Sequence, residues 1–425
     1  MLRSTRALIP LLIVCLLLTA CGSANNEATN NQTPMFAQDV CPDILQASST
    51  CLTPHALRVA YGIESLIQKG FTGKGQILID ITSFDAPTLQ QDMKVFDQTF
   101  NLPPVDLQVI SPLHVPEVDP EQHKNLWAHA TVTEVQMLHA VAPGAKIIVL
   151  ESPVGETKGS FGLPEFRKLL QYAIDHQLGN IVSLRWNVSE ATLQDTQGQQ
   201  EMQQWNDLLQ QGTMRHHITY FAASGSTGVT NDAVADQQLA NVPTISFPSD
   251  LPWVTSIGGT SLLLTSAGSA LSEKAWSGCG GGFSQFYPMP SYQKMLPAAV
   301  QQQFNNHRGI PDVSADQDSN TGPAVYAQGQ WQLDGGNNAP PIWAGIQAIA
   351  NQMAGHPLGF INDGLYKLAT SASYQRDFHD ITQGNNTNAR AGVKGYSAAP
   401  GWDPVTGLGT PNAEKLILDL MAALK

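Results

Sequence analysis

Charge is the scarcest feature of this chain. Only 13% of its 425 residues are Asp, Glu, Lys or Arg, against roughly 25% in typical soluble domains. Basic residues are the rarer sign, 22 Lys and Arg against 35 Asp and Glu, for a net charge of −13. That balance excludes a nucleic-acid footprint, which needs clustered Lys and Arg. Internal repeats are missing, and no linker-like stretch follows Cys51, so one large domain is expected rather than a repeat array. The apolar run over 7–18 is too short to cross a bilayer, which takes about 20 residues. What is abundant instead is neutral polarity in Gln, Asn, Ser and Thr. That suits an extracellular protein in an acidic medium.

The N-terminus has the anatomy of an export signal. Arg3 and Arg6 form a basic start, an apolar stretch follows, and Leu18-Thr19-Ala20-Cys21 resembles a bacterial lipobox. Residues 1–20 are then a lipoprotein signal peptide, and Cys21 carries the lipid that holds the protein to a membrane. One acyl chain anchors weakly, so more than one is expected there. An ordinary signal peptide with an incidental Cys21 is the other reading. Residues 21–50 read as a flexible tether and 51–425 as the folded domain. The expected location is extracytoplasmic, at the cell surface. Cys41 and Cys51 are expected to pair, contributing about 2–3 kcal/mol. Cys279, in a glycine run, is expected to be small and buried.

From Thr53 onward, apolar runs alternate with helical spacing. Strands are expected over 76–81, 146–150, 180–186 and 218–223. Helices are expected over 87–101, 126–142, 163–176 and 191–211, the last polar and solvated, and over a final apolar stretch ending at Ala354. Near-continuously apolar strands alternating with helices imply an α/β fold, a mostly parallel sheet with helices on both faces. Sites in such sheets lie at the carboxyl ends of the strands.

One turn stands out. Asp334-Gly335-Gly336-Asn337-Asn338 opens the apolar helix that runs through Pro340, Pro341 and Trp343. Backbone N–H groups at such a start can hold an oxyanion. The residue presented there, Asn337, carries an amide, which is not an acyl-transfer nucleophile.

Several stretches together resemble the sedolisins, serine-carboxyl peptidases with a subtilisin-like fold. They include Ala140-Val141-Ala142-Pro143-Gly144, Ile257-Gly258-Gly259-Thr260 and Gly280-Gly281-Gly282-Phe283-Ser284. They continue with Pro311-Asp312-Val313-Ser314-Ala315 and Gly401-Trp402-Asp403-Pro404-Val405-Thr406-Gly407. The resemblance covers about Thr53 to Asn412 and implies a three-layer subtilisin-like fold. It also implies a catalytic set: a Ser nucleophile, a Glu base one helical turn before an Asp, and a second Asp supporting the oxyanion. Carboxylates in these roles let acyl transfer run in acid, where a His base is protonated.

Registered on the flanking motifs, the nucleophile position is Asn337, the base Ala130, its Asp partner Glu134, and the oxyanion acid Ser226. Only Glu134 keeps a carboxylate. The resemblance therefore points to a pseudopeptidase with a vestigial cleft for a peptide or protein ligand, or a scaffold. Two alternatives stand beside it: an active serine-type endopeptidase with a rearranged site, and a structural or adhesive surface module. His129 lies about 100° around the helix from Ala130 and is expected to face elsewhere. His129, Glu134 and His139, spaced by fives, do not form a metal motif. At the substrate edge, Ser183-Leu184-Arg185-Trp186-Asn187 replaces a Ser-x-Ser-Trp-Gly pattern, so Arg185 either obstructs the cleft or points to solvent.

The resemblance also implies one Ca2+ near the C-terminus. Asp380 and Asp403 would give carboxylates, and Ile381, Ala399 and Gly401 backbone carbonyls, toward the six to eight oxygens calcium takes. Many sedolisins carry a long N-terminal prosegment, and only the tether precedes Cys41 here. A protein with no activity to restrain is expected to need none.

Overall fold

A computed structural model describes residues 41–425 except 43–44, 46–50, 120–121, 156–159, 235–237 and 266–269. The signal peptide, Cys21 and most of the tether lie outside the described residues. Cys41 and Cys51 are joined in a disulfide, with 6.0 Å between their Cα atoms.

The centre is an eight-stranded sheet. Its strands are β1 (Ile77–Ser83), β2 (Asp106–Ile110), β3 (Lys146–Ser152), β4 (Ile181–Leu184), β5 (Thr219–Ala223), β6 (Val254–Leu264), β7 (Ala270–Ala275) and β8 (Val313–Asp316). The order is β7-β6-β5-β4-β1-β3-β2, with β8 also on β6. Every pairing is parallel except β6 with β7. Six helices frame it: α1 (Leu89–Thr99), α2 (Lys124–Val141), α3 (Leu163–Asp175), α4 (Thr196–His216), α5 (Ala339–Ala354) and α6 (Ala413–Ala423).

Side chains alternate across each strand and so feed two cores. On β1, Leu78 joins the core with α2 and α5, while Ile79 and Ile81 join the one with α3 and α4. Asp80 shares Leu78's face by that alternation and points toward α2. Helix α2 stops where Pro143-Gly144 follows, because Pro cannot continue a helix. Helix α5 takes Pro340 and Pro341 in its first turn and ends at Gly355, at φ 75°. It is buried nearly all round, as expected of a central apolar helix. Gly345 lets it meet α2 closely, since a Cβ there would lie 2.4 Å from a Val141 methyl carbon.

The polar helix begins later than its spacing predicts. Residues Glu190–Leu193 form a separate 3-10 turn, and Asp195 then caps α4 by accepting from the Gly198 N–H at 2.6 Å. The local cap outweighs the apolar period. Trp205 and Leu209 bury one face of α4, so it is amphipathic rather than wholly solvated. Cys279 is fully buried, its thiol pushed up to about 11 chiefly by burial. Among the described residues, no helix is long and apolar enough to cross a membrane.

Candidate active-site cleft

The carboxyl ends of the parallel strands open onto a cavity of about 540 Å³. Ala130, Glu134, Ser226 and Asn337 all line it, brought together from α2, the loop after β5 and the turn before α5. Ala130 and Glu134 share a face because they are four residues apart on α2. Asn337 sits at φ 64°, a left-handed conformation that Asn tolerates better than most residues. Its Oδ1 accepts from Gln317 Nε2 at 3.3 Å. Ser226 lies against the same turn, 3.7 Å from where a Cβ on Gly336 would be.

Arg185 settles its two open readings by turning inward. Nη1 donates to the Ala130 carbonyl at 2.8 Å. Nη2 donates to Asp334 Oδ2 at 3.0 Å and to the Gly336 carbonyl at 3.2 Å. One guanidinium thus ties the end of β4, the middle of α2 and the turn before α5 together. Its rigid fork is suited to that. Asn187 is similarly engaged, its Oδ1 accepting from Asn231 and Ser246 at 3.0 Å each.

Below this brace lies a carboxyl pair. Glu134 and Asp80 are 1% and 2% exposed. Both Glu134 carboxyl oxygens and Asp80 Oδ2 lack hydrogen-bond partners. Burial pushes Glu134 up to about 7, against the pull of the nearby Ser183 hydroxyl and of Arg185. Asp80 is raised well above the usual carboxylate range by burial and then by Glu134, with Arg185 opposing. Glu134 makes no hydrogen bond to Ser226.

His129 corrects an expectation. It lines the same cavity and its Nε2 meets the Gln332 amide. The cavity mouth is wide enough to take in a side chain a quarter-turn from Ala130. Burial lowers the His129 pKa, which Asp334 partly offsets. His139 does lie elsewhere, in the core, 2.8 Å from the Pro103 carbonyl and lowered to about 4 by burial. Asp80 and Asp334 are site residues that the motifs passed over. The available signal for Asp80 was a lone acid near the carboxyl end of an apolar strand.

No protein-family model matches the chain. Kumamolisin from Bacillus sp. (strain MN-32) is 32% identical over 300 residues, covering 68% of this chain and 50% of kumamolisin. Sedolisin from Pseudomonas sp. (strain 101) is 32% identical over 209 residues, 47% of this chain and 34% of sedolisin. The chain is a sedolisin homologue. The solved structure of Pseudomonas sedolisin, a serine-carboxyl proteinase complexed with two molecules of pseudo-iodotyrostatin, superimposes with a TM-score of 0.73. That match is 23% identical and covers 87% of this chain and 97% of the other, so the sedolisin fold, subtilisin-like and α/β, is shared. The chain spans about half the length of kumamolisin and 40% of aorsin from Aspergillus oryzae (strain ATCC 42149 / RIB 40).

In the C-terminal loop, the two carboxylates expected to face calcium differ in their partners. Asp380 Oδ1 is buried without a hydrogen-bond partner, while Oδ2 accepts from the Gly401 N–H at 2.9 Å. Asp403 shapes the loop, both of its oxygens accepting, from the N–H groups of Ala399, Val405 and Thr406 and from the Thr406 hydroxyl. Among the described residues, no three His, Cys, Asp or Glu side chains cluster as a metal site. A cation here would rest on Asp380, Asp403 and the carbonyls of Ile381, Ala399 and Gly401.

Proposed function

We propose that this protein binds peptide in a sedolisin-type cleft without cleaving it. The observation that carries this reading is the convergence of Ala130, Glu134, Ser226 and Asn337 on one cavity, cross-braced by Arg185. The nucleophile position holds an amide, the base position a methyl group and the oxyanion-acid position a hydroxyl. Losing single members of a catalytic unit costs orders of magnitude in rate, about 10⁴ or more in serine peptidases. A rearranged peptidase would need Ser226 activated by Glu134, and the two are not hydrogen-bonded. The cavity itself favours a ligand-binding role over a purely structural one.

Calcium would hold the C-terminal loop through Asp380 and Asp403, acting on stability rather than chemistry. Lipidation of Cys21 would place the cleft outside the cell. The test is a peptide library passed over immobilised full-length protein with calcium. Intact, saturably retained peptides support the reading. No retention at all leaves a scaffold and removes the binding role. Labelled palmitate incorporation that persists in Cys21→Ser would remove the anchor.

A further inference from the structure

We propose that the cleft floor receives a primary alkylammonium group, with Glu134 and Asp80 as its acceptors, a refinement that rests on the peptide-binding reading above. Three carboxyl oxygens there, Glu134 Oε1 and Oε2 and Asp80 Oδ2, are buried and unpartnered at the wall of an open cavity. Buried polar atoms are normally hydrogen-bonded, and each orphan costs about 1–3 kcal/mol. An ammonium brings three N–H donors and no acceptor, which suits three carboxyl oxygens that have only the Ser183 hydroxyl nearby. It also brings the charge that two adjacent buried acids need. A resident cation is close by, but Arg185 is committed to Asp334, the Ala130 carbonyl and the turn. Asp334 balances that guanidinium, which leaves the acids beneath without a dedicated counter-charge.

The rest of the cavity suits an alkyl stem. Trp127, Trp186 and Ile81 wall it, and Leu126 stands 65% exposed at the mouth. Long basic side chains lay their methylenes on such surfaces while the head reaches polar groups. Ala130, in place of a long base, leaves room beside the floor. A lysine side chain and a free diamine share this chemistry.

The charged and titratable groups around the pair are Arg185 after β4, Glu151 on β3, and His129, Asp334, His123 and Asp232 along the cavity. Because burial holds Glu134 at about 7, that carboxyl is protonated in acid and gains its charge above neutrality. The ammonium, with a pKa of about 10.4, stays charged throughout. Affinity therefore rises with pH, opposite to an acid-working peptidase.

The test uses full-length protein with calcium and calorimetry. The probes are acetyl-Ala-Ala-Lys-Ala-Ala-amide, the same peptide with norleucine for lysine, and cadaverine. At about pH 8 the lysine peptide is expected to bind about tenfold or more tighter than the norleucine peptide, as a charged hydrogen bond would give. That advantage is expected to fall below about threefold near pH 5.5, where Glu134 takes up its proton. Glu134→Gln and Asp80→Asn are each expected to remove the lysine peptide's advantage over the norleucine peptide. The pH swing is read on the unaltered protein, so it stands even where a variant fails to fold. A lysine peptide tighter than cadaverine identifies the source as a peptide side chain, and the reverse identifies a free diamine; both support the ammonium site. Equal binding of the two peptides overturns this inference and leaves peptide binding intact. Cadaverine binding that Glu134→Gln abolishes, with neither peptide bound, keeps the ammonium site and removes the peptide reading. No binding of any probe removes both.

Discussion

Two buried charged clusters sit against the same sheet and are built on opposite plans. Around Asp312, fully buried, donors converge from four places. Arg308 Nη1 and Nη2 donate at 2.9 and 2.5 Å, the Tyr366 hydroxyl at 2.7 Å, the Ser256 N–H at 2.8 Å and the Asn362 amide at 3.4 Å. Around Glu134 and Asp80, equally buried, three oxygens lack a hydrogen-bond partner, with the Ser183 hydroxyl and Arg185 only nearby. The first cluster supplies both Asp312 oxygens from within the chain, with only Arg308 Nε left unpartnered, and serves the fold. The second is incomplete within the chain, and it opens onto the cleft. Burial alone does not separate structural acids from functional ones; the supply of donors does.

The largest effect expected from this contrast is at the complete cluster. Arg308→Ala should cost about 3–5 kcal/mol in urea unfolding, because it leaves Asp312 buried and uncompensated. A loss under about 1 kcal/mol would show that the Arg308–Asp312 cluster is not structural after all.

Asp380 Oδ1 is a further buried oxygen without a hydrogen-bond partner, at the calcium site proposed above. Calcium at a hundred times its Kd should add about 2.7 kcal/mol of stability, read as a melting shift on chelation. Asp380→Ala should abolish that shift. A melting curve indifferent to both calcium and chelator would remove the site.

The incomplete pair should respond in the other direction. A carboxyl group held above its unfolded value binds more protons folded than unfolded, so stability falls as pH rises between the two values. For Glu134 the window runs from the ordinary 4.5 to about 7. Glu134→Gln should flatten that fall and raise stability near pH 8 by about 1–3 kcal/mol. If instead it destabilises like Arg308→Ala, the two clusters are alike and the comparison breaks.

The smallest effect belongs to the brace. Arg185→Ala should cost about 1–2 kcal/mol through its lost hydrogen bonds. It should speed hydrogen exchange in the turn over 334–337, while Arg185→Lys, without the fork, restores only part of the protection. Unchanged exchange there would mean that the turn holds itself.

How much of this was legible in the sequence depended on periodicity. Strand β1 and helices α2 and α5 were readable because their apolar spacing is unbroken and Pro143, Pro340 and Gly355 mark their ends. The start of α4 was not, because the Asp195 cap is a single local contact. Among site residues, Ala130, Glu134, Ser226 and Asn337 could be placed from flanking motifs, and the cavity does gather them. Arg185 could not be oriented, since a residue just past a strand end has no fixed face. Asp80 went unnoticed because its meaning comes from Glu134, 54 positions away in the chain, and from donors that are missing.

The central claim is that the frame of the cleft was kept and its acyl-transfer chemistry was not. The direct test is full-length protein with calcium, incubated with a broad peptide library from about pH 3 to 7, the range in which carboxylate catalysis operates, and read by mass spectrometry. The expected result is every peptide recovered intact at every pH. Cleavage that disappears in Glu134→Ala or Ser226→Ala would contradict the account and make this chain a peptidase with a relocated site.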